Sequence, residues 1–428
     1  MKKITFLSLI VLIICFSINA YASTPTTIEE SASFKLDSTT ETVRDTIKDY
    51  FELYFKGLET LEVQNYESLF VSSDETLKIA KSHEYNIEMN KMWNIKQINN
   101  KVKINYISIE NIIGGYKVDL KLSGTNNYST TPDVESGFAD LDYTFYLMLD
   151  DGSYKIIDID TDDDIVQKFD IAINRFNKDV KERNYSSYEE ELDYVIEKGK
   201  ERLKNTMSQI STVQVEEPTE ESKNSEAQTR ATVSYNHMLG RNYAQEFALV
   251  DNASETWFYY ISMGNGGDCT NFVSQCVWAA YGGYVEGPTS ETATKANINN
   301  KFRMINNVWH AGTGGGMPAW ENVQSFWNYV TTNTGNGPKA YGYNNNLSYT
   351  GVPASSIDYG DVLQFSWYEG DVYRHSGYVT YTSSATDTYP EVLVSFHSNP
   401  YYNRPLAQMF DTYDCMRRMS FRTTTFAN

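Results

Sequence analysis

The stretch Gly264-Asn265-Gly266-Gly267-Asp268-Cys269-Thr270-Asn271-Phe272-Val273-Ser274-Gln275-Cys276-Val277-Trp278-Ala279-Ala280 decides how the C-terminal half of this chain reads. Gly264, Gly266 and Gly267 permit a tight turn, Asp268 is a helix N-cap residue type, and the residues after it have a helical pattern. Cys269 then falls in the first turn of a helix, where unpaired backbone amides and the helix field favour a thiolate. The thiolate is the attacking form, so the position suits a nucleophile better than an inert core residue. Cys276 follows two turns later, roughly 10 Å along the axis. It is too far away to bond to Cys269 and is placed for core packing.

A nucleophile needs a base. The histidines are His83, His237, His310, His375 and His397, and the last two border strand-like runs. Gly360 to Phe365 reads as a turn entering a buried strand, His375 to Thr382 as a second strand and Glu391 to His397 as a third. His375 opens one strand and His397 closes the next, so antiparallel pairing puts both at one end of a sheet. His375 is the candidate base, and His397 the candidate that orients its second ring nitrogen. Asn399 competes for that orienting role, because a cysteine–histidine pair can use an amide there. The Cys269 backbone amide is a candidate oxyanion donor, with Tyr259 or Tyr260 adding a hydroxyl. Trp320, Phe326 and Trp327 recur near helical spacing and read as core. A zinc site on His375 and His397 would leave the glycine turn unexplained, and no CxxC spacing occurs; no metal or cofactor is expected.

Working outward, Met1-Lys2-Lys3, the apolar run from Ile4 to Phe16, and Ala20-Tyr21-Ala22 before Ser23 describe a secretory signal peptide over residues 1–22. Its removal takes away Lys2 and Lys3 and no acid, changing the formal charge from -20 to -22. Such a balance disfavours nucleic acid as a partner. Cys15 leaves with the signal, so Cys269, Cys276 and Cys415 remain, which is no disulfide framework. No later segment is apolar enough to span a membrane.

Residues 23–42 read as a flexible N-terminal segment and residues 43–205 as a separate α+β module. Val43, Ile47, Tyr50, Phe51, Tyr54, Phe55 and Leu58 mark a helix face, and alternating runs near 102–109, 116–122, 143–149 and 154–159 mark strands. One or two charged amphipathic helices follow from Asp164 to Leu203. The order is faintly similar to cystatin-like or nuclear-transport-factor-like folds. The acidic run Asp158 to Asp164 reads as capping for the next helix, not as a calcium loop. Residues 206–232, rich in Glu, Ser and Thr, read as a flexible acidic linker before a domain spanning 233–428.

Within that domain, Asp268-Cys269-Thr270-Asn271-Phe272-Val273 resembles the nucleophile turn of the NlpC-like and CHAP peptidases and amidases of the papain-like group. The fuller run from Gly267 to Cys276, with Tyr235-Asn236 upstream, resembles the bacterial Putative amidase domain over about residues 233–425. The resemblance implies an α+β fold with the cysteine helix packed on an antiparallel sheet. It also implies Cys269 as nucleophile, His375 as base and His397 as the polar third residue. The implied activity is hydrolysis of peptide or amide bonds in peptidoglycan by a secreted or surface-associated bacterial protein. Arg374 departs from the pattern, since relatives carry an acid before the base. Buried, it would disfavour an imidazolium; exposed, it can bind a substrate carboxylate. Two alternatives stay open: a noncatalytic cell-envelope binding protein on the same scaffold, and acyl transfer to an amine.

Overall fold

The computed structural model describes residues 24–426 except 36, 184, 211–231, 251–256, 263–265, 288–289, 345–350, 384–387 and 399. The signal region, most of the acidic linker and Asn399 therefore lie outside the described residues.

The N-terminal half begins with strand β1 (Thr27–Ala32), then helices α1 (Glu41–Thr60) and α2 (Asp74–Trp93). Four strands follow in antiparallel succession, β2 (Gln97–Ile112), β3 (Gly115–Tyr128), β4 (Thr131–Asp150) and β5 (Ser153–Thr161). Helices α3 (Asp164–Lys181) and α4 (Tyr188–Ile210) complete it. The apolar face of α1 from Val43 to Leu58 packs on the inward residues of β2 to β5, such as Ile104, Leu120, Phe145 and Ile156. Alternation along those strands makes this packing possible, since every second side chain meets the helix.

Two expectations change here. Residues 27–32, read as part of a flexible segment, form an edge strand paired parallel to β2. Helix α2 was not anticipated, because its buried side carries Thr76, Ser82, His83, Asn86 and Asn90 beside its apolar residues. Its start is nonetheless written in the sequence: the Ser73 hydroxyl accepts from the Thr76 amide, a capping box before the first turn.

The C-terminal half contains α5 (His237–Phe247), α6 (Cys269–Ala280) and strands β6 (Ala340–Tyr343), β7 (Val362–Ser366), β8 (His375–Thr382), β9 (Val392–Phe396), β10 (Tyr401–Pro405) and β11 (Cys415–Phe421). Helix α6 is buried along its whole length. It is tied to β8 by the Thr270 and Ser376 hydroxyls, 3.0 Å apart, and to α5 by the Tyr243 hydroxyl, which donates to Gln275 Oε1 at 2.7 Å. Cys276 sits in the core, as do Trp320, Phe326 and Trp327.

The strands of both halves form one mixed sheet of eleven, in the order β1-β2-β3-β4-β10-β9-β8-β7-β11-β6, with β5 also on β4. The joint is β4 on β10, where Phe138 faces Tyr401 and Gly137 faces Tyr402. The N-terminal module is thus not separate but continuous with the C-terminal sheet. The cause is the length of β4: β5 covers only its stretch from Tyr143 to Asp150, leaving its earlier residues to pair with β10. A shared core also spans the junction, bringing Phe169, Leu192 and Val195 together with Phe365, Val394 and Phe410.

Candidate active site

Helix α6 starts at Cys269, as its sequence requires, but Asp268 does not cap it with its side chain. The Asp268 carboxylate is fully buried and turned elsewhere. Its Oδ1 accepts from the Ile261 amide at 3.0 Å and from Asn271 Nδ2 at 2.8 Å, and its Oδ2 is hydrogen-bonded with His397 Nδ1 at 2.7 Å. Asn271 is fixed in turn by donating to the Tyr259 carbonyl and accepting from Trp320 Nε1, each at 2.8 Å. The Asp268 amide donates to Ser398 Oγ at 2.6 Å. The turn before Cys269 is thus held by side chains that satisfy one another in the dry interior, where an unpaired polar group would be costly.

Cys269 and His375 line the same cavity, about 180 Å³ in volume. The thiol and the imidazole do not hydrogen-bond to each other, and neither ring nitrogen of His375 bonds to any described residue. The imidazole is instead held by its faces, stacked on Phe396 at 5.0 Å between centroids and lying parallel to Tyr413 at 6.2 Å. Burial, and then the charge of Arg404, pull His375 down to about 4. Burial also pushes the Cys269 thiol up, although the Ser376 backbone and the Thr270 hydroxyl favour the thiolate. A helix start does not by itself yield a thiolate here; desolvation outweighs it. At neutral pH the pair rests as thiol and neutral imidazole. That form of His375 can still accept a proton.

His397 does not orient His375. Its Nδ1 is hydrogen-bonded with the Asp268 carboxyl group and its Nε2 with the Phe247 carbonyl at 2.8 Å, so both ring nitrogens are already engaged. Strand parity explains the difference. Tyr378 pairs with Ser395 and Val379 with Val394, which puts Phe396 on the face of His375 and sends His397 to the other. The two histidines do share an end of the sheet, but His397 stacks on Phe272 of α6 at 4.1 Å. The competing orienter, Asn399, lies outside the described residues. Tyr259 is exposed, and neither it nor Tyr260 is among the residues lining the cavity.

Arg374 is on the cavity rim with 47% of its side chain exposed, its Nε 3.5 Å from Asp371 and its guanidinium over the Trp367 ring. Deeper in the wall are groups sequence reasoning did not single out. Arg404 donates to Asp164 Oδ2 and to Gln408 Oε1, and Lys168 reaches the Gln408 carbonyl at 3.2 Å and Asp411 at 3.3 Å. Asp164 closes the acidic run; its neighbour Asp163 does cap α3, accepting from the Ile165 amide. Arg404 has no local signal, because its role depends on α3 arriving from more than 200 residues away.

The buried thiol at a helix start and the imidazole in the same cavity lie in an α+β protein, within the part of the chain that matches a known family. Residues 234–422 match the model of the family described as Putative amidase domain. That family is consistent with the NlpC/P60-like superfamily of papain-like amidases and peptidases. No curated protein and no solved structure matches the chain. Among the described residues, no helix is long and apolar enough to cross a membrane.

Proposed function

We propose that this protein is a cysteine-dependent amide hydrolase acting outside the cytoplasm on peptide or amide bonds of peptidoglycan. The observation that carries the reading is the meeting of Cys269 and His375 in one cavity within the family-matched region. The thiol attacks the amide carbonyl while its proton passes to His375. The imidazolium then protonates the departing amine, leaving a thioester on Cys269. Water, deprotonated by His375, attacks the thioester, releases the acid product and restores the thiol. The Cys269 backbone amide, at the helix start, supports the oxyanion. The sheet and α6 fit a papain-like arrangement, and Arg374 at the rim suits a carboxylate on a peptide stem.

A noncatalytic binding protein on the same scaffold is the second reading, favoured by the missing thiol–imidazole hydrogen bond. The reading as hydrolase requires a short approach of the two groups when substrate binds, as catalytic hydrogen bonds often tighten only then. The test is hydrolysis of purified peptidoglycan fragments by the intact protein, by Cys269→Ala and by His375→Ala, with folding verified. Loss of product in both variants is expected; undiminished hydrolysis by Cys269→Ala overturns the reading. Product masses separate amidase from endopeptidase, since only the former releases an unmodified sugar strand.

A further inference from the structure

The Cys269 cavity is not built by the family-matched region alone. Asp164, Gln167, Lys168 and Ile171 of α3 line it together with Cys269 and His375. Their spacing, i, i+3, i+4 and i+7, is that of a single helical stripe, so α3 lies lengthwise along the cavity. Two of the four are occupied in holding the wall in place: Asp164 with Arg404, and Lys168 with Asp411 and the Gln408 carbonyl.

The same helix is anchored beyond the cavity. Arg175 donates to the Trp367 and Thr412 carbonyls at 2.8 and 3.0 Å. From α4, Arg202 donates to Asp414 and to the Phe410 carbonyl. These bonds reach the loops that carry Trp367 and Tyr413 into the cavity. Together with the continuous sheet they make the N-terminal half a fixed wall of the site.

The other two stripe residues are not spent in this way. Gln167 is exposed and makes only a long contact, 3.4 Å, to the Asp162 carbonyl; Ile171 is half-buried. A glutamine amide can both donate to and accept from a peptide group, and an isoleucine packs on an aliphatic side chain. Charge narrows the ligand further. The lining carries Lys168, Arg374 and Arg404 against Asp164, in a chain whose formal charge is -20. Lys168 and Arg404 are buried with their anionic partners, whereas Arg374, 3.5 Å from Asp371, keeps 47% of its side chain exposed and is the solvent-facing cation among the described lining residues.

We infer that α3 is the substrate-selecting wall of this site, with Gln167 and Ile171 gripping an acidic peptide whose carboxylate is held by Arg374 across the cavity. The inference rests on the hydrolase reading for the identity of the site, but it concerns recognition, which can be measured without turnover.

The experiment uses the full chain carrying Cys269→Ala and titrates it with acetyl-L-alanyl-γ-D-glutamyl-L-lysine. The carboxamide form of the same peptide serves as the neutral comparison. Gln167→Ala is expected to weaken binding of both peptides by about fivefold, the loss of one hydrogen bond. Ile171→Asp, which places a like charge beside the substrate, is expected to weaken the acidic peptide by at least about tenfold and the neutral one less. Thermal melts establish that both variants fold. Binding within twofold of the parent in both variants, or no binding of either peptide by the parent, overturns the inference. Parallel hydrolysis assays with Cys269 restored keep the two readings apart. Cys269-dependent turnover with unaltered binding leaves the nucleophile standing and removes the wall; altered binding without turnover in any variant does the reverse.

Discussion

At the residue scale the site turns on two groups whose surroundings push them in opposite directions. Burial raises the Cys269 thiol, and burial together with Arg404 lowers His375 to about 4. Both shifts favour neutral forms, so a resting thiolate–imidazolium pair is not what this cavity stabilises. Protonated His375 cannot take the thiol proton. In the proposed mechanism, activity is therefore present above its pKa and lost as pH falls through about 4. The pH profile of kcat/KM for the hydrolase should show an acid limb near 4; a limb near the ordinary imidazole value of about 6.5 would contradict this electrostatic account. That Cys269 and His375 come to one cavity was legible in the sequence because each carries a local mark, a glycine turn before a helix for one and a strand start for the other. The work of Asp268 was not legible. As an N-cap residue type it pointed to the helix amides, yet its carboxylate is used by Ile261, Asn271 and His397.

At the scale of elements, the strands β8 and β9 were readable from their apolar runs, and so was their shared end. What the runs do not carry is register, and one step of register moves a side chain from one face to the other. That step separates the expected role of His397 from the observed one. Here His397 is a positioning residue that fixes the turn through Asp268. Replacing it by Ala removes one hydrogen-bond partner from a buried carboxylate, which should lower stability by about 2 kcal/mol. Turnover should fall while the acid limb set by His375 stays in place. Denaturant unfolding together with the pH profile checks both parts; a displaced limb would instead mean that His397 acts on His375.

For the whole molecule, the sequence divides at an acidic linker, whereas the folded chain does not divide there. Helices and hairpins are written locally, but the pairing of Gly137 and Phe138 with Tyr402 and Tyr401 joins segments more than 260 residues apart. No periodicity within either half announces it. The consequence is one continuous sheet with a shared core, in which Arg202 of α4 supports the loop after β10 by bonding to Asp414 and to the Phe410 carbonyl. Arg202→Ala should lower stability by about 2 kcal/mol, charge-assisted bonds being the strong ones. It should also reduce turnover, although Arg202 does not line the cavity. Calorimetry of the intact protein should give one unfolding transition; two well-separated transitions would contradict a fixed junction.

The claim on which the rest depends is that Cys269 carries the acyl group. Acid-quenching the protein during turnover of a peptidoglycan peptide and weighing the fragment that contains Cys269 tests this directly. The account predicts an added mass equal to the acyl half of the substrate on that residue, absent from Cys269→Ala, which forms no product. Turnover that persists in Cys269→Ala, with no adduct on Cys269 in the parent, would contradict it.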